Sequence, residues 1–196
     1  MKLFIYQFSK YREGIFFNLK ISNKIGIKKI NIVPKKSVLI TFDDGTIEQE
    51  KYAMPILNKL SMKGTSFILG KRTYNNDKGY INYKRMPLLK KLYPNYDFQS
   101  HTFDLHFRLK KNKKDIYNIS FNDAVKQNLY FNFTYLAYPY GRFTSEMIKA
   151  YKDVGIKMAF IYGKNGYANR TQNIYMIRRI KIYSDEDFYK FTSWFK

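Results

Sequence analysis

The chain has 196 residues, a length that suits one domain with a substantial core. It contains no cysteine, which excludes disulfide bonds and thiolate metal sites. Thirty-six Lys and Arg residues against fifteen Asp and Glu give a formal net charge of +21, which predicts attraction to polyanions such as nucleic acid, an anionic membrane face or an anionic wall polymer.

The basic residues are scattered along the chain rather than gathered in one stripe, and the densest cluster, Lys110 to Lys114, is typical of a solvated loop. A general compositional bias toward Lys, Asn, Ile and Tyr explains the charge more simply than a binding surface does. No nucleic-acid-binding motif is recognisable, so nucleic acid is the least favoured partner. An anionic membrane or cell-wall surface stays open as a partner.

No apolar run approaches the roughly 20 residues that a transmembrane helix requires. The apolar N-terminus is interrupted by Lys10, Arg12 and Glu13, and no small-residue cleavage site is visible. It therefore does not resemble a signal peptide, and the sequence leaves the localisation of the protein open.

Residues 1–36 are predicted to form short N-terminal strands that pack on the domain of residues 37–196, within a single-domain protein. The expected strands are Leu3 to Phe8, Ile15 to Ile21 and Ile25 to Val33. Ser37 to Phe42 is apolar and partly β-branched, which predicts a buried strand, and Asp43, Asp44 and Gly45 follow it directly.

The next elements are predicted from apolar spacing and turn residues. They are a helix through Ala53, Ile56, Leu57 and Leu60 that ends near Gly64, a strand Thr65 to Leu69, a surface loop Lys71 to Lys78, a helix marked by Leu88, Leu89 and Leu92, and a strand Tyr96 to Gln99 that leads to His101.

The C-terminal part continues the same alternation. Expected elements are a helix from an Asn122 cap to about Asn132, a strand Thr134 to Ala137, a helix from Thr144 or Ser145 to Gly155, a strand Lys157 to Ile161, a loop Gly163 to Thr171, a strand Met176 to Ile182, and a terminal helix capped by Ser184 with Asp187. Repeated strand–helix alternation predicts a parallel sheet with crossover helices, either open or closed into a barrel.

Two adjacent carboxylates, Asp43 and Asp44, end one predicted strand, and the only two histidines of the sequence, His101 and His106, follow another. Like charges side by side resist burial unless a cation compensates them. One carboxylate and two imidazoles, with coordination positions left open, are typical of a catalytic site for zinc or a similar divalent ion. Each feature alone is more often a solvated turn or a structural histidine, and their combination favours the metal site.

Three motifs of the sequence resemble, in their order and spacing, the first three motifs of the polysaccharide deacetylases. They are Thr41 to Gly45, His101 to His106 and Tyr138 to Gly141. These are the NodB-homology carbohydrate esterases, which remove N- or O-acetyl groups from cell-surface glycans. The His-Thr-Phe-Asp-Leu-His form is most similar to the deacetylases of poly-N-acetylglucosamine biofilm polymers. The resemblance implies a distorted (β/α) barrel, here expected to be incomplete or irregular at its N-terminal end, and a protein of the cell surface or exterior.

The resemblance also implies roles for individual residues. One divalent metal ion, zinc by preference and otherwise cobalt, nickel or manganese, would be held by Asp44, His101 and His106. Asp43 would be the general base, and the backbone N–H of Tyr140 would face the oxyanion. Asp104, Tyr138 and Pro139 would contact the acetylated polysaccharide, although Asp104 could instead support a histidine or lie in an exposed turn. Thr102 could order the histidine loop or be an ordinary loop residue.

Two departures from the family pattern affect the chemistry. Ala137 stands where many members carry an arginine that orients the catalytic aspartate, and Arg178 or Arg179 could replace it from the late strand or lie at the surface. No histidine is left to protonate the leaving amine, so Asp43, a tyrosine or a lysine would have to do so. Loss of general acid–base assistance typically costs about 10²–10⁴-fold in rate, and it affects an amide more than an ester.

The predicted function is that of a metal-dependent hydrolase that removes acetyl groups from the N-acetylglucosamine units of a polysaccharide. A glycan-binding or weakly active homologue without the usual acid, and an O-acetyl esterase, are the alternatives.

Overall fold

The computed structural model describes residues 3–7, 38–106, 113–162, 168, 172–182 and 187–193. Within these ranges, seven strands form one closed barrel in chain order: β1 (Leu3–Gln7), β2 (Val38–Phe42), β3 (Gly64–Ile68), β4 (Tyr96–Ser100), β5 (Tyr135–Ala137), β6 (Met158–Tyr162) and β7 (Ile177–Ile182). The helices are α1 (Met54–Lys59), α2 (Gly70–Tyr74), α3 (Met86–Leu92), α4 (Lys113–Phe131), α5 (Ser145–Asp153) and α6 (Phe188–Ser193). None of these described helices is long and apolar enough to span a bilayer.

Strands β2 to β7 run parallel to one another, whereas β1 pairs antiparallel with both β2 and β7. Leu3 lies opposite Phe42 on one side and Ile182 on the other, so β1 closes the sheet. The prediction of a distorted (β/α) barrel that is irregular at its N-terminal end is therefore confirmed.

Adjacent strands β4 and β5 share a single registered pair, Ser100 with Leu136. The Gln99 Oε1 atom accepts hydrogen bonds from the backbone N–H groups of Thr134 and Tyr135, at 3.1 and 2.9 Å. This side-chain amide thus links the two strands before the backbone ladder begins, and it keeps the barrel continuous beside the site.

The strands predicted along the described chain are present, with ends that differ by at most one residue. Helix α5 is capped as predicted, because the Thr144 Oγ1 atom accepts a hydrogen bond from the Met147 N–H, and Gly155 follows the helix with a φ of 93°. The predicted strands Ile15 to Ile21 and Ile25 to Val33 lie outside the described residues, as does most of the predicted loop Gly163 to Thr171. The division between residues 1–36 and 37–196 stays a prediction.

Two helix boundaries were wrongly predicted. The chain leaves α1 through Ser61, whose φ is 52°, and Gly64 instead begins β3, where a Cβ atom would lie 2.6 Å from Leu57 Cδ1. Asn122 does not cap α4 but lies inside it, since the helix begins at Lys113. Ile116, which precedes Asn122, is already buried on the inner face of this helix.

Two further local expectations need correction. The segment predicted as a loop from Lys71 begins with the short helix α2. Asp187 caps α6 through its own Oδ1 atom, which accepts a hydrogen bond from the Lys190 N–H, while Ser184 lies outside the described residues.

The core of the described chain comprises a barrel interior, two large outer layers between the sheet and its helices, and a small outer cluster of Ile180 and Ile182 with Val38 and Phe191. Phe67, Ala137, Phe160 and Ile177 share the inner cluster. Outside the sheet, one cluster joins β2 to β4 with α1 and α3, and another joins β5 and β6 with α4 and α5. The strands are therefore packed on both faces, as expected for a parallel barrel.

Replacement of Leu136 by Ala should lower the free energy of unfolding by about 2–5 kcal/mol, because this fully buried side chain on β5 would leave a cavity. The matched control is Leu129→Ala on α4, where the side chain is 74% exposed and the cost should stay within about 0.5 kcal/mol. Urea denaturation of both variants tests the packing, and equal costs would contradict it.

Candidate active site

The residues singled out from the three sequence motifs lie at the carboxyl ends of three barrel strands. Asp43 and Asp44 follow β2, His101 follows β4, and Tyr138 follows β5. Because the carboxyl ends of parallel strands meet at one rim of a barrel, residues that are distant in sequence converge there.

Asp44, His101 and His106 form a compact cluster at this rim. The Asp44 Oδ1 atom lies 3.5 Å from His101 Nε2 and 3.2 Å from His106 Nε2. One potential ligand atom from each residue lies within 4.8 Å of the others, which is close enough for all three to bind one ion. The structure thus brings together the three residues that the sequence suggested as metal ligands.

The orientation of His101 fits a bound cation. Its Nδ1 atom lies 2.7 Å from the Ala137 carbonyl oxygen, which can only accept, so Nδ1 carries the proton. Burial lowers the pKa of His101, and the neutral ring therefore turns a lone pair on Nε2 toward Asp44 and toward Asp43 Oδ2, 3.8 Å away. A lone pair that faces carboxylate oxygens is repulsive unless a cation lies between them, so this donor set suits a divalent metal.

The second histidine is oriented by a side chain from the neighbouring motif. Tyr140 Oη lies 3.3 Å from His106 Nδ1, and the two rings have centroids 4.7 Å apart. The Nε2 atom is the one that faces Asp44, so both histidines present the same nitrogen to the cluster. The sequence suggested only a backbone role for Tyr140, and this contact of its side chain was missed.

Asp43 is held by a buried arginine from the far end of the chain. Arg179 Nη1 and Nη2 donate to Asp43 Oδ1 and Oδ2 at 2.7 and 2.9 Å, and Nη1 also donates to Thr41 Oγ1 at 3.1 Å. Both charged side chains are almost completely buried. The two parallel hydrogen bonds make this a bidentate ion pair, which is stronger than an ion pair with a single hydrogen bond.

This contact resolves the alternative that the sequence left open. Arg179 points into the barrel and orients Asp43, while Arg178 is on the outer face of β7, at a position that is exposed. The missing arginine before the Tyr138 motif is thus replaced from another strand. Side chains alternate between the two faces of a strand, so Arg178 and Arg179 must face opposite ways. The sequence alone does not show which of the two faces the barrel interior.

The backbone of Asp43 is fixed by a buried amide that the sequence did not single out. Gln49 Nε2 donates to the Asp43 carbonyl oxygen at 2.8 Å, and Ser66 Oγ donates to Gln49 Oε1 at 2.5 Å. Gln49 opens the π-helical turn Gln49–Ala53 that precedes α1 and is fully buried. A single glutamine at a helix start gives little sequence-level indication of such a role.

Each of the three motifs contains one non-glycine residue with a left-handed backbone. The φ angles are 73° at Asp44, 71° at Thr102 and 58° at Tyr140. Such conformations cost of the order of 1 kcal/mol or more, particularly for a β-branched residue such as Thr102, and they persist where surrounding contacts impose them. Three of the six non-glycine residues with a positive φ in the described part of the chain thus lie at the rim.

The residues expected to contact substrate are placed less uniformly. Asp104 is exposed and pairs with the Lys71 Nζ atom at 2.6 Å. Pro139 is buried at the start of a 3₁₀ turn. Tyr138 is fully buried against Phe143 and Tyr151, and burial raises the pKa of its hydroxyl, so its side chain packs in the core and the expectation that it contacts substrate needs correction.

Comparison with known families supports the motifs. The sequence model of the family described as "Polysaccharide deacetylase" matches residues 31–159. The chain belongs to the polysaccharide deacetylase family.

Individual relatives of this family member are similar over most of its length. It is 33% identical to a poly-beta-1,6-N-acetyl-D-glucosamine N-deacetylase of Staphylococcus epidermidis. This alignment has a length of 198 positions and covers 91% of this chain and 65% of the relative. It is 30% identical to the putative polysaccharide deacetylase YxkH of Bacillus subtilis, over 76% of this chain and 52% of the relative. The chain therefore spans between about half and two thirds of the length of these relatives.

Solved structures share the fold of this polysaccharide deacetylase family member. The Streptococcus pyogenes deacetylase PplD, in complex with acetate, superimposes with a TM-score of 0.67 at 21% identity, over 80% of this chain and 69% of that one. IcaB from Ammonifex degensii gives a TM-score of 0.66 at 19% identity, over 84% of this chain and 75% of that one.

Replacement of Arg179 by Met should lower the free energy of unfolding by about 3–5 kcal/mol, because it leaves the Asp43 carboxylate buried without its partner. Arg178→Met is the matched control at an exposed position of the same strand and should cost no more than about 0.5 kcal/mol. Urea denaturation of the metal-free proteins measures both, and a similar small cost for the two variants would contradict the role given to Arg179.

Proposed function

We propose that this chain is a metal-dependent hydrolase that removes acetyl groups from the N-acetylglucosamine units of a polysaccharide. The observation that carries the proposal is the placement of the Asp44, His101 and His106 cluster beside an arginine-held carboxylate, Asp43, at one barrel rim. The names of the similar staphylococcal proteins support N-acetylglucosamine polymers as the substrate class.

Asp44, His101 and His106 would hold one divalent ion. Two imidazoles and a carboxylate suit zinc best, and cobalt, nickel or manganese remain compatible. When bound, such an ion supplies Lewis acidity and lowers the pKa of the reacting water.

Asp43 would act as the general base. Arg179 donates one hydrogen bond to each carboxylate oxygen of Asp43. Each oxygen keeps a second lone pair that can accept the proton of the water. Water adds to the acetyl carbonyl carbon as its proton passes to Asp43, and the backbone N–H of Tyr140 would stabilise the negative charge that develops on the carbonyl oxygen.

The amide C–N bond then breaks, and the leaving amine needs a proton. The chain has only two histidines, and both belong to the proposed metal cluster. We therefore assign this proton to Asp43, which returns the one that it accepted. A single residue would then act first as base and afterwards as acid, which predicts slower turnover of amides than of O-acetyl esters.

The exposed Asp104 remains a proposed contact for the glycan, and Pro139 would shape the turn that carries Tyr140. The +21 charge leaves an anionic membrane or cell-wall surface as a proposed site of attachment.

Protein freed of metal should bind one zinc ion per chain, as measured by isothermal titration calorimetry with a competing chelator. His106→Ala should weaken this binding at least 100-fold, because it removes one of three protein ligands. Lys71→Ala, which removes the partner of the exposed Asp104 side chain, is the control and should bind like the wild type. Unchanged binding in His106→Ala would exclude the proposed ligand set.

Zinc-loaded protein should release acetate from N-acetylglucosamine oligomers, and Asp43→Asn should reduce release by about 10²–10⁴-fold because the general base is lost. Chelation should abolish it. Asp115→Asn, a carboxylate change at an exposed position on α4, should leave release unchanged. Acetate can be measured enzymatically, with an O-acetylated sugar ester as a parallel substrate.

Zinc binding without acetate release from either substrate would reject hydrolysis and favour a glycan-binding homologue. Release from the ester alone would favour an O-acetyl esterase, because an alkoxide leaves with less need for a proton than an amine does.

A further inference from the structure

A buried carboxylate on α4 faces the loop that joins the two histidines. The Asp123 Oδ2 atom accepts a hydrogen bond from the Phe103 N–H at 2.8 Å, and its Oδ1 atom accepts one from the Asp104 N–H at 2.7 Å. Asp123 is only 6% exposed, and it belongs to none of the three sequence motifs. Its two oxygens thus match two consecutive donors of the loop backbone.

The rest of this loop is fixed in the same manner. The Thr102 N–H donates to Ser100 Oγ at 3.0 Å, and the Leu105 N–H donates to Thr102 Oγ1 at 3.1 Å. Four consecutive amides, those of residues 102–105, therefore donate to side-chain oxygens, and Asp123 supplies two of these acceptors.

The carbonyl groups of the loop are bound from another element. The Gly70 N–H donates to the Thr102 oxygen at 3.0 Å, and the Lys71 N–H donates to the Phe103 oxygen at 2.8 Å. A Cβ atom at Gly70 would overlap the Gln127 side chain and lie 2.8 Å from the Phe103 ring, so α2 packs closely against both α4 and the loop. The loop is thus held from two sides: backbone N–H groups of α2 donate hydrogen bonds to its carbonyl oxygens, and Asp123 on α4 accepts hydrogen bonds from its N–H groups.

A carboxylate at this position is energetically unfavourable in itself. Burial raises the pKa of Asp123 to about 6, in spite of the two backbone hydrogen bonds, which act in the opposite direction. An apolar residue could fill this space in a helix without that cost, but it would leave two buried N–H donors without acceptors. The position is thus better explained by the loop than by packing of the helix.

We propose that Asp123 is a positioning residue for the metal centre: it holds the loop between His101 and His106 so that both Nε2 atoms face Asp44. This inference rests on the proposed metal site. It requires a carboxylate specifically, because an amide offers one acceptor oxygen and sets its own N–H₂ group against the second backbone donor.

The test compares Asp123→Asn with Asp115→Asn, a change of the same kind at an exposed position on the same helix. Zinc affinity is measured by chelator competition, and the visible absorption spectrum of the cobalt-substituted protein reports the coordination geometry. We expect Asp123→Asn to bind zinc about 10–100-fold more weakly, the range typical of residues that orient metal ligands, and to change the cobalt spectrum. Asp115→Asn should match the wild type in both measurements.

Thermal unfolding of the metal-free proteins separates positioning from a general loss of stability. A lower melting temperature with wild-type zinc affinity and an unchanged cobalt spectrum would overturn the inference. Should the amide prevent folding, Asp123→Ala removes the buried charge and improves helix propensity, and the same loss of zinc affinity is expected of it.

The inference and the proposed function fail in different ways. Wild-type affinity in both Asp123 variants would overturn the positioning role while leaving acetate release intact. Absence of zinc binding by the wild-type protein would overturn both.

Discussion

A charged guanidinium inside a barrel requires a counter-charge, and this requirement determines the geometry of the rim. Arg179 is fully buried, with its charged group 5.2 Å from the centre of the Phe67 ring, and its Nη1 and Nη2 atoms both donate to Asp43. Neither partner can turn away without leaving a buried charge uncompensated. Asp43 is therefore fixed in position and direction, and Asp44, the next residue in the chain, must leave the strand through a left-handed backbone conformation toward the histidines.

In the remaining parts of the site, buried side chains form hydrogen bonds to the backbone and fix its position. Gln49 holds the carbonyl of Asp43, while Asp123 and Ser100 hold the amides of the histidine loop. Loops of this kind would otherwise sample many conformations, and ordering them costs roughly 1–2 kcal/mol per residue. Buried side chains on the strands and helices supply that order, so contacts within the protein hold the proposed ligands in place.

Much of this arrangement could be predicted from the sequence, for identifiable reasons. The parallel sheet follows from strand–helix alternation, whereas its closure into a barrel was implied only by the family resemblance. The meeting of Asp44 with His101 and His106 follows from their positions just beyond strand ends. The choice of Arg179 over Arg178 did not follow, because it depends on which face of β7 lines the barrel. Gln49 and Asp123 were missed because a polar residue in a helix indicates burial only once its tertiary neighbours are known. Tyr138 was assigned to substrate from the family resemblance, whereas its side chain packs in the core.

The origin of Arg179 in the last strand of the barrel has a consequence for how the protein is made. The proposed metal ligands all lie in the first 106 residues, whereas the partner of Asp43 is 136 positions further along the chain than Asp43 itself. During synthesis, domains form from the N-terminus onward, and contacts of such long separation form late. A nascent chain would thus acquire its three ligands well before it could orient its base. Orientation of the histidines would wait for Asp123 and Ala137, and orientation of Asp43 would wait for β7, so the rim would be completed only by the last strand of the barrel.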